Sequence, residues 1–236
     1  ASLNRLLQQV NQLLDREKRF IADAAHELRT PLAVLRIHAQ NALQATSSNV
    51  RDEALGQLLH GVDRATRIVS QLLTLARLEP NAQQHHAAPC NLLALTRETL
   101  AELIPLALSQ GQELSLEADE QADMQLYADA ASLAILLQNL VGNALQYTPA
   151  DGQIMVRLQA LEDRLILEVA DSGPGIPAES RAQLFERFFR LGTGQGAGLG
   201  LSIVARIAEL HGADIALLDS PLGGLQVRVS LPRQPA

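Results

Sequence analysis

Apolar residues return every three to four positions through the first third of the chain. Leu3, Leu6, Leu7, Val10, Leu13, Leu14 and Phe20 have nearly heptad spacing, and Leu28, Leu32, Leu35, Ala39 and Leu43 continue it. This is the period of an amphipathic helix. It stops at the polar turn Thr46-Ser47-Ser48-Asn49 and resumes in Leu55, Leu58, Leu59, Val62, Ala65, Val69, Leu72, Leu73 and Ala76. Two long helices joined by a short loop predict an antiparallel hairpin. One hairpin cannot bury both apolar stripes. Pairing two hairpins into a four-helix bundle would, so a homodimer is expected.

The segment EPNAQQHHAAP at 79–89 has two prolines and no periodicity, and it predicts a domain boundary. His85 and His86 fall in it and suit a solvated linker. Beyond Pro89 the pattern becomes mixed. Helices fit 91–109, 129–147 and about 199–211, the last ending at Gly212. Alternation fits strands at 113–118, 124–128, 153–160, 164–170, 213–218 and 224–231. This predicts an α/β unit with helices covering one face of a mixed sheet.

Composition narrows the picture. The chain has 236 residues, 47% hydrophobic and only 3% aromatic, so its cores must be aliphatic. Residues 1–80 carry ten basic and eight acidic side chains, and residues 81–236 carry nine and eighteen. An acidic C-terminal part argues against nucleic-acid binding. It does not exclude a nucleotide, which is held by local dipoles and metal. Cys90 is the single cysteine, so no disulfide within the chain and no cysteine zinc site can form. No apolar run reaches the ~20 residues needed to span a bilayer. The chain begins inside a helical pattern, as a fragment of a longer protein would.

Helix one contains Phe20-Ile-Ala-Asp-Ala-Ala-His26-Glu27-Leu28-Arg29-Thr30-Pro31-Leu32. His26 and Thr30 are four apart and share a face. Pro31 cannot donate to the carbonyl of Glu27, so loosening is expected beside His26. A neutral imidazole offers a lone pair on one nitrogen, while a carboxylate such as Glu27 holds the proton on the other. Thr30 is placed to orient a water at the same spot. By themselves His26 and Glu27 also suit an ordinary exposed helix pair. The proline, worth roughly 3 kcal/mol against the helix, asks for a functional reason.

Three further segments suit a nucleotide. Asn139 and Asn143 share a helix face with Tyr147, and amide oxygens are hard ligands fit for Mg²⁺. Asp171 ends a strand and leads into Gly173 and Gly175. A carboxylate there can accept from an exocyclic amine such as that of adenine, and the glycines let backbone approach a flat base. The run from Gly192 through Gly196, Gly198 and Gly200 to Leu201 leads glycine amides into a helix N-terminus, an anion cradle. Singly, these segments also suit a polar helix end, a turn and a surface loop. The third is neither a Walker A loop nor a Rossmann fingerprint.

In this order the segments closely resemble those of the sensor histidine kinases, over nearly the whole chain. His26 to Leu32 resembles the H box, Asn139 to Tyr147 the N box, Asp171 to Gly175 the G1 box, Phe185 to Arg190 the F box, and Gly196 to Leu201 the G2 box. The nearest likeness is to membrane sensors of the quorum-sensing and polymyxin-response type. The resemblance implies an α+β chain. Residues 1–19 would be a signalling helix continuing from a HAMP-like linker, and 20–80 a dimerisation and histidine-phosphotransfer hairpin. After a linker at 81–89, residues 90–236 would form an ATP-binding α/β sandwich of the fold shared by HSP90, gyrase and MutL. It implies ATP and Mg²⁺, with Asn143 on the metal and Asp171 on the adenine amine. It implies autophosphorylation of His26, transfer to an aspartate of a response regulator, and reverse hydrolysis served by Glu27 and Thr30. It implies a place on the cytoplasmic side of the bacterial inner membrane. Chaperone or DNA-repair ATPases of that fold lack a phosphoacceptor helix, and His26 to Leu32 tells against them. Two positions depart from the family pattern. Gln146 stands where a basic residue near the phosphates is frequent, and Leu225 stands where Thr is common.

Overall fold

A computed structural model describes the backbone of residues 2–78, 87–191 and 198–234, and side chains from Ile21 onward except that of Asp23. It divides into two compact units, Ala1–Ala76 and Arg77–Ala236.

The first unit is a helical hairpin of α1 (Ser2–Gln44) and α2 (Ser48–Arg77). The start of α2 is held by Ser47, whose carbonyl accepts from the Arg51 N–H at 3.2 Å. On α2 the positions 54, 58, 61, 65 and 68 alternate in steps of four and three and are buried or half-buried. Gly61 lies in this stripe because α1 passes close. A Cβ there would come within 2.7 Å of Leu35 Cδ2. Helix α1 continues through Pro31, which is buried.

The second unit is built on a five-stranded sheet. In chain order it has β1 (Ala88–Asn91), α3 (Leu92–Ser109), β2 (Glu113–Ala118), β3 (Gln125–Ala128), α4 (Ala130–Tyr147), β4 (Gln153–Ala160) and β5 (Arg164–Asp171). A 3₁₀ segment, Ala178–Phe185, comes next. Then follow α5 (Gly200–Leu210), β6 (Asp214–Asp219) and β7 (Leu225–Pro232). The sheet order is β2-β4-β5-β7-β6, with β2–β4 parallel and the other pairs antiparallel. Strands β1 and β3 pair separately. Strand β1 starts inside the segment read from sequence as linker. Pro89 is tolerated because a two-stranded sheet leaves it an edge position. Residues 79–86, with His85 and His86, lie outside the described residues.

Side-chain alternation explains the layers. Ile154, Val156 and Leu158 of β4 stand opposite Asp171, Val169 and Leu167 of β5, and Val227, Val229 and Leu231 of β7 continue the row. The aliphatic members of this row are buried with Leu136, Val141, Ile203 and Ile207 of α4 and α5. On the other face, Glu117, Arg157, Glu168 and Arg228 stand directly opposite one another across four strands. Arg157 pairs with Glu117 at 2.8 Å and Arg228 with Glu168 at 2.6 Å. Opposite charges in register keep that face polar and favour this pairing over a slipped one.

Candidate functional site

In the hairpin, His26 and Thr30 are exposed on α1, while Glu27 is half-buried. The helix therefore presents the imidazole and the hydroxyl to solvent one turn apart, with the carboxylate adjacent in sequence. A partner can reach the ring without unfolding the helix.

In the second unit the site grows from the end of β5. Asp171 has the same strand parity as Leu165, Leu167 and Val169, so its side chain emerges on the helix-covered face where the strand runs out. It is only 8% exposed. Its Oδ1 accepts from the Gly173 N–H at 2.9 Å and the Leu225 N–H at 3.1 Å. Burial pushes the carboxyl above its usual range, and the two backbone donors pull it back down. Both of these bonds fall on one oxygen, which leaves Oδ2 to meet a ligand's donor.

The glycines around Asp171 sit where backbone passes close. A Cβ on Gly173 would lie 2.9 Å from the Tyr147 carbonyl, and one on Gly224 would lie 2.6 Å from the Asp171 carbonyl. Gly175 has φ 68 and faces the Gly224 carbonyl, where a Cβ would stand at 3.4 Å. Helix α4 ends against this loop, and Tyr147 is 48% exposed at its last turn.

The same helix places the asparagines. Asn139 donates through Nδ2 to the Ile135 carbonyl at 2.8 Å, and its Oδ1 lies on the side of Gly200. A Cβ on Gly200 would meet Asn143 Oδ1 at 3.1 Å and Asn139 Oδ1 at 3.3 Å. The first residue of α5 thus abuts both amides, which puts them beside the N-terminal end of that helix and its dipole. Gly198 has φ 68, and its carbonyl accepts from the Phe188 N–H at 2.9 Å. This ties the segment Phe185 to Arg190 to the start of α5. Leu201 is half-buried in the first turn. Gly196 lies outside the described residues.

The fold therefore brings Asn139, Asn143, Tyr147, Asp171, Gly173, Gly175, Gly198 and Gly200 into two neighbouring clusters along the C-terminal half of α4. At one, a buried carboxylate lies beside open glycine backbone. At the other, two amides face a helix N-terminus. The first can read a flat base with an amine, and the second can hold oxyanions and a hard cation. Sequence reasoning missed the Gly224 and Leu225 N–H groups on Asp171, because backbone donors have no residue signature. Phe188 falls in the F box by resemblance, but its φ of 65 and its bond to the Gly198 carbonyl had no sequence signal.

The architecture defines a class, a phosphoacceptor-type helical hairpin followed by a nucleotide domain. Residues 16–81 match the His Kinase A (phospho-acceptor) domain. Residues 128–235 match the histidine kinase-, DNA gyrase B- and HSP90-like ATPase domain. The sensor protein kinase PmrB of Pseudomonas aeruginosa is 41% identical over 235 residues, covering 98% of this chain and 49% of PmrB. The catalytic domain of histidine kinase ThkA superposes with TM-score 0.59 at 30% identity, covering 63% of this chain and 97% of that one. Full-length ShkA in complex with AMPPNP gives 0.67 at 28%, covering 93% and 46%. ThkA in complex with the response regulator protein TrrA gives 0.77 at 21%, covering 95% and 64%, a likeness of fold. The chain belongs to the sensor histidine kinases. It spans about half the length of the curated relative PmrB.

Proposed function

We propose that this chain is the kinase core of a sensor that uses Mg-ATP to phosphorylate its own His26 and passes the phosphoryl group to an aspartate of a response regulator. The observation that carries the proposal is the presence, in one chain, of an exposed histidine on a helix and a base-and-phosphate site around Asp171 and Asn143. ShkA is complexed with AMPPNP and ThkA with a response regulator, which supports both halves of the reading.

One ring nitrogen of His26 attacks the γ-phosphorus. The nitrogen–phosphorus bond forms as the bond to the β,γ-bridging oxygen breaks, and ADP leaves. Glu27 holds the proton on the other ring nitrogen and takes it up as the ring gains positive charge. Asp171 accepts from the adenine amine, and Gly173 and Gly175 lie under the base. The start of α5, with Gly198, Gly200 and Leu201, cradles the phosphates, and Tyr147 on α4 borders the base beside Gly173. The amide oxygen of Asn143, seconded by Asn139, fits Mg²⁺, which when bound would neutralise phosphate charge. In the opposing phosphatase reaction Thr30 positions water for attack on the regulator's phosphoaspartate, which releases inorganic phosphate and the free carboxylate.

We place the working unit as a homodimer on the cytoplasmic side of a bacterial inner membrane. No helix among the described residues is long and apolar enough to cross a bilayer. Recovery of the parent protein in a soluble fraction after lysis would contradict the membrane placement.

The deciding experiment incubates the chain with Mg²⁺ and γ-labelled ATP. Acid-labile, base-stable label is expected on the wild type and none on His26→Gln, which still binds ATP. Base-stable label on that variant would refute the acceptor. Thr30→Ala is expected to keep the label yet slow phosphate release from a labelled regulator, and equal release rates would remove the role given to Thr30.

A further inference from the structure

Arg181 sits in the 3₁₀ segment with its side chain only 18% exposed, and its guanidinium engages three acceptors. Nε donates to the Ile176 carbonyl at 3.0 Å, Nη1 donates to the Leu217 carbonyl at 3.3 Å, and Nη2 pairs with the Asp219 carboxylate. Ile176 directly follows Gly175. Leu217 and Asp219 belong to β6, the edge strand of the sheet.

Both attachments lead back to Asp171. On one side, Ser172 is held by the Gln153 carbonyl at 3.0 Å and Gly173 by Asp171 at 2.9 Å, and the Ile176 carbonyl is tied by Arg181. On the other side, β6 runs into the turn Ser220 to Gly224, closed by the Ser220 N–H on the Gly224 carbonyl at 2.9 Å. That turn returns to donate from Gly224 to the Asp171 carbonyl at 3.1 Å and from Leu225 to Asp171 Oδ1 at 3.1 Å. The glycine loop and the β6–β7 turn thus meet at the buried carboxylate, and Arg181 is bonded to Ile176 in the first and to the end of β6 that leads into the second.

We propose that Arg181 is a positioning residue for the nucleotide base, holding the glycine loop and the β6–β7 turn against each other around Asp171 in the arrangement that adenine needs. This rests on the reading that Asp171 and its glycines bind the base of ATP. The two carbonyl bonds are part-buried and carry most of the effect. The Asp219 carboxylate is 89% exposed, so its pairing with Arg181 adds little. Lysine cannot replace Arg181, because one ammonium cannot serve three acceptors in different directions. None of the three bonds goes to α4 or α5, so the phosphate end of the site keeps its geometry.

The test measures affinity for MgATP and MgGTP, and the autophosphorylation rate at saturating MgATP, in the intact chain and its variants. Arg181→Ala and Arg181→Lys are expected to weaken MgATP binding about tenfold, narrow the preference for MgATP over MgGTP severalfold, and keep the saturating rate within about twofold. Asp219→Asn should lose less than about threefold. Affinity within about twofold of wild type in the arginine variants overturns the proposal, as does a fall in saturating rate with affinity kept. If circular dichroism shows that Arg181→Ala does not fold, Arg181→Lys, which retains the charge and stem, decides by the same criteria. A wild type that binds no MgATP marks failure of the underlying reading. A wild type that binds beside indifferent variants marks failure of the role given to Arg181.

Discussion

Asp171 is under two opposed influences. Burial, the larger, raises its pKa, while the Leu225 and Gly173 N–H groups lower it. The sign of the net shift has a consequence for stability. A carboxyl whose folded pKa lies above its unfolded value contributes stability below the ordinary carboxylate range. That contribution is lost as pH rises through the raised value. At neutral pH the nucleotide-free protein therefore holds this charge against its own stability. Asp171→Asn keeps an Oδ1 acceptor for both backbone donors and removes the charge. The variant is expected to resist denaturant better than wild type at about pH 7, with the gain shrinking towards about pH 4. It would also turn an amide donor towards the adenine amine and lose roughly tenfold to a hundredfold in MgATP affinity. Denaturant melts at the two pH values and a nucleotide titration check both halves. A variant less stable at neutral pH that binds normally contradicts the assignment. The carboxylate itself was legible as an acid ending an apolar strand before glycines. Arg181 was not, since an arginine in an irregular segment carries no periodic signal and its acceptors are carbonyls.

At the scale of elements, periodicity predicted the long helices and most strands to within a residue or two, because each buries one face. Strand β1 escaped it, being four residues long with a proline among them. Helix α5 shows how a glycine run serves two purposes that sequence cannot separate. Gly198 needs its positive φ, and a Cβ there would meet the Phe188 backbone at 2.7 Å. Gly200 has no such φ, and the atoms a Cβ would meet first are the tips of Asn143 and Asn139. The two alanine variants should therefore diverge. Gly198→Ala combines left-handed strain with a backbone clash and should cost about 1–3 kcal/mol of stability. Gly200→Ala gains up to about 1 kcal/mol of helix propensity, offset by shifting the two amides. It should melt within a few degrees of wild type yet bind MgATP several times more weakly, because the asparagines move. Thermal melts and titrations of both variants decide. Equal binding by Gly200→Ala would mean that the amides do not contact the ligand.

At the scale of the molecule, the hairpin has more apolar surface than two helices can cover. Leu55, Leu59, Val62, Val69 and Leu73 lie on α2 at steps of four, three, seven and four, and are 41–66% exposed. They form a second heptad stripe beside the covered one at 54, 58, 61, 65 and 68. Helix α1 adds Leu32 at 58% and Ile37 at 52%. A contiguous stripe of this kind marks an interface. The spacing suits knobs-into-holes packing of a second hairpin, completing four helices around one core. The chain is expected to sediment as a dimer at micromolar concentration. Leu59→Asp tests the stripe without disturbing the single chain, because Leu59 is 66% exposed there. In the dimer each copy would lose about 1.5–3 kcal/mol of burial and gain a charge in the core, so dissociation should rise more than a hundredfold. Nucleotide affinity should stay unchanged, since the site around Asp171 and Asn143 lies wholly in the second unit. A wild type monomeric at tens of micromolar, or a Leu59→Asp variant that dimerises as well as wild type, would show that this stripe is not what joins the copies.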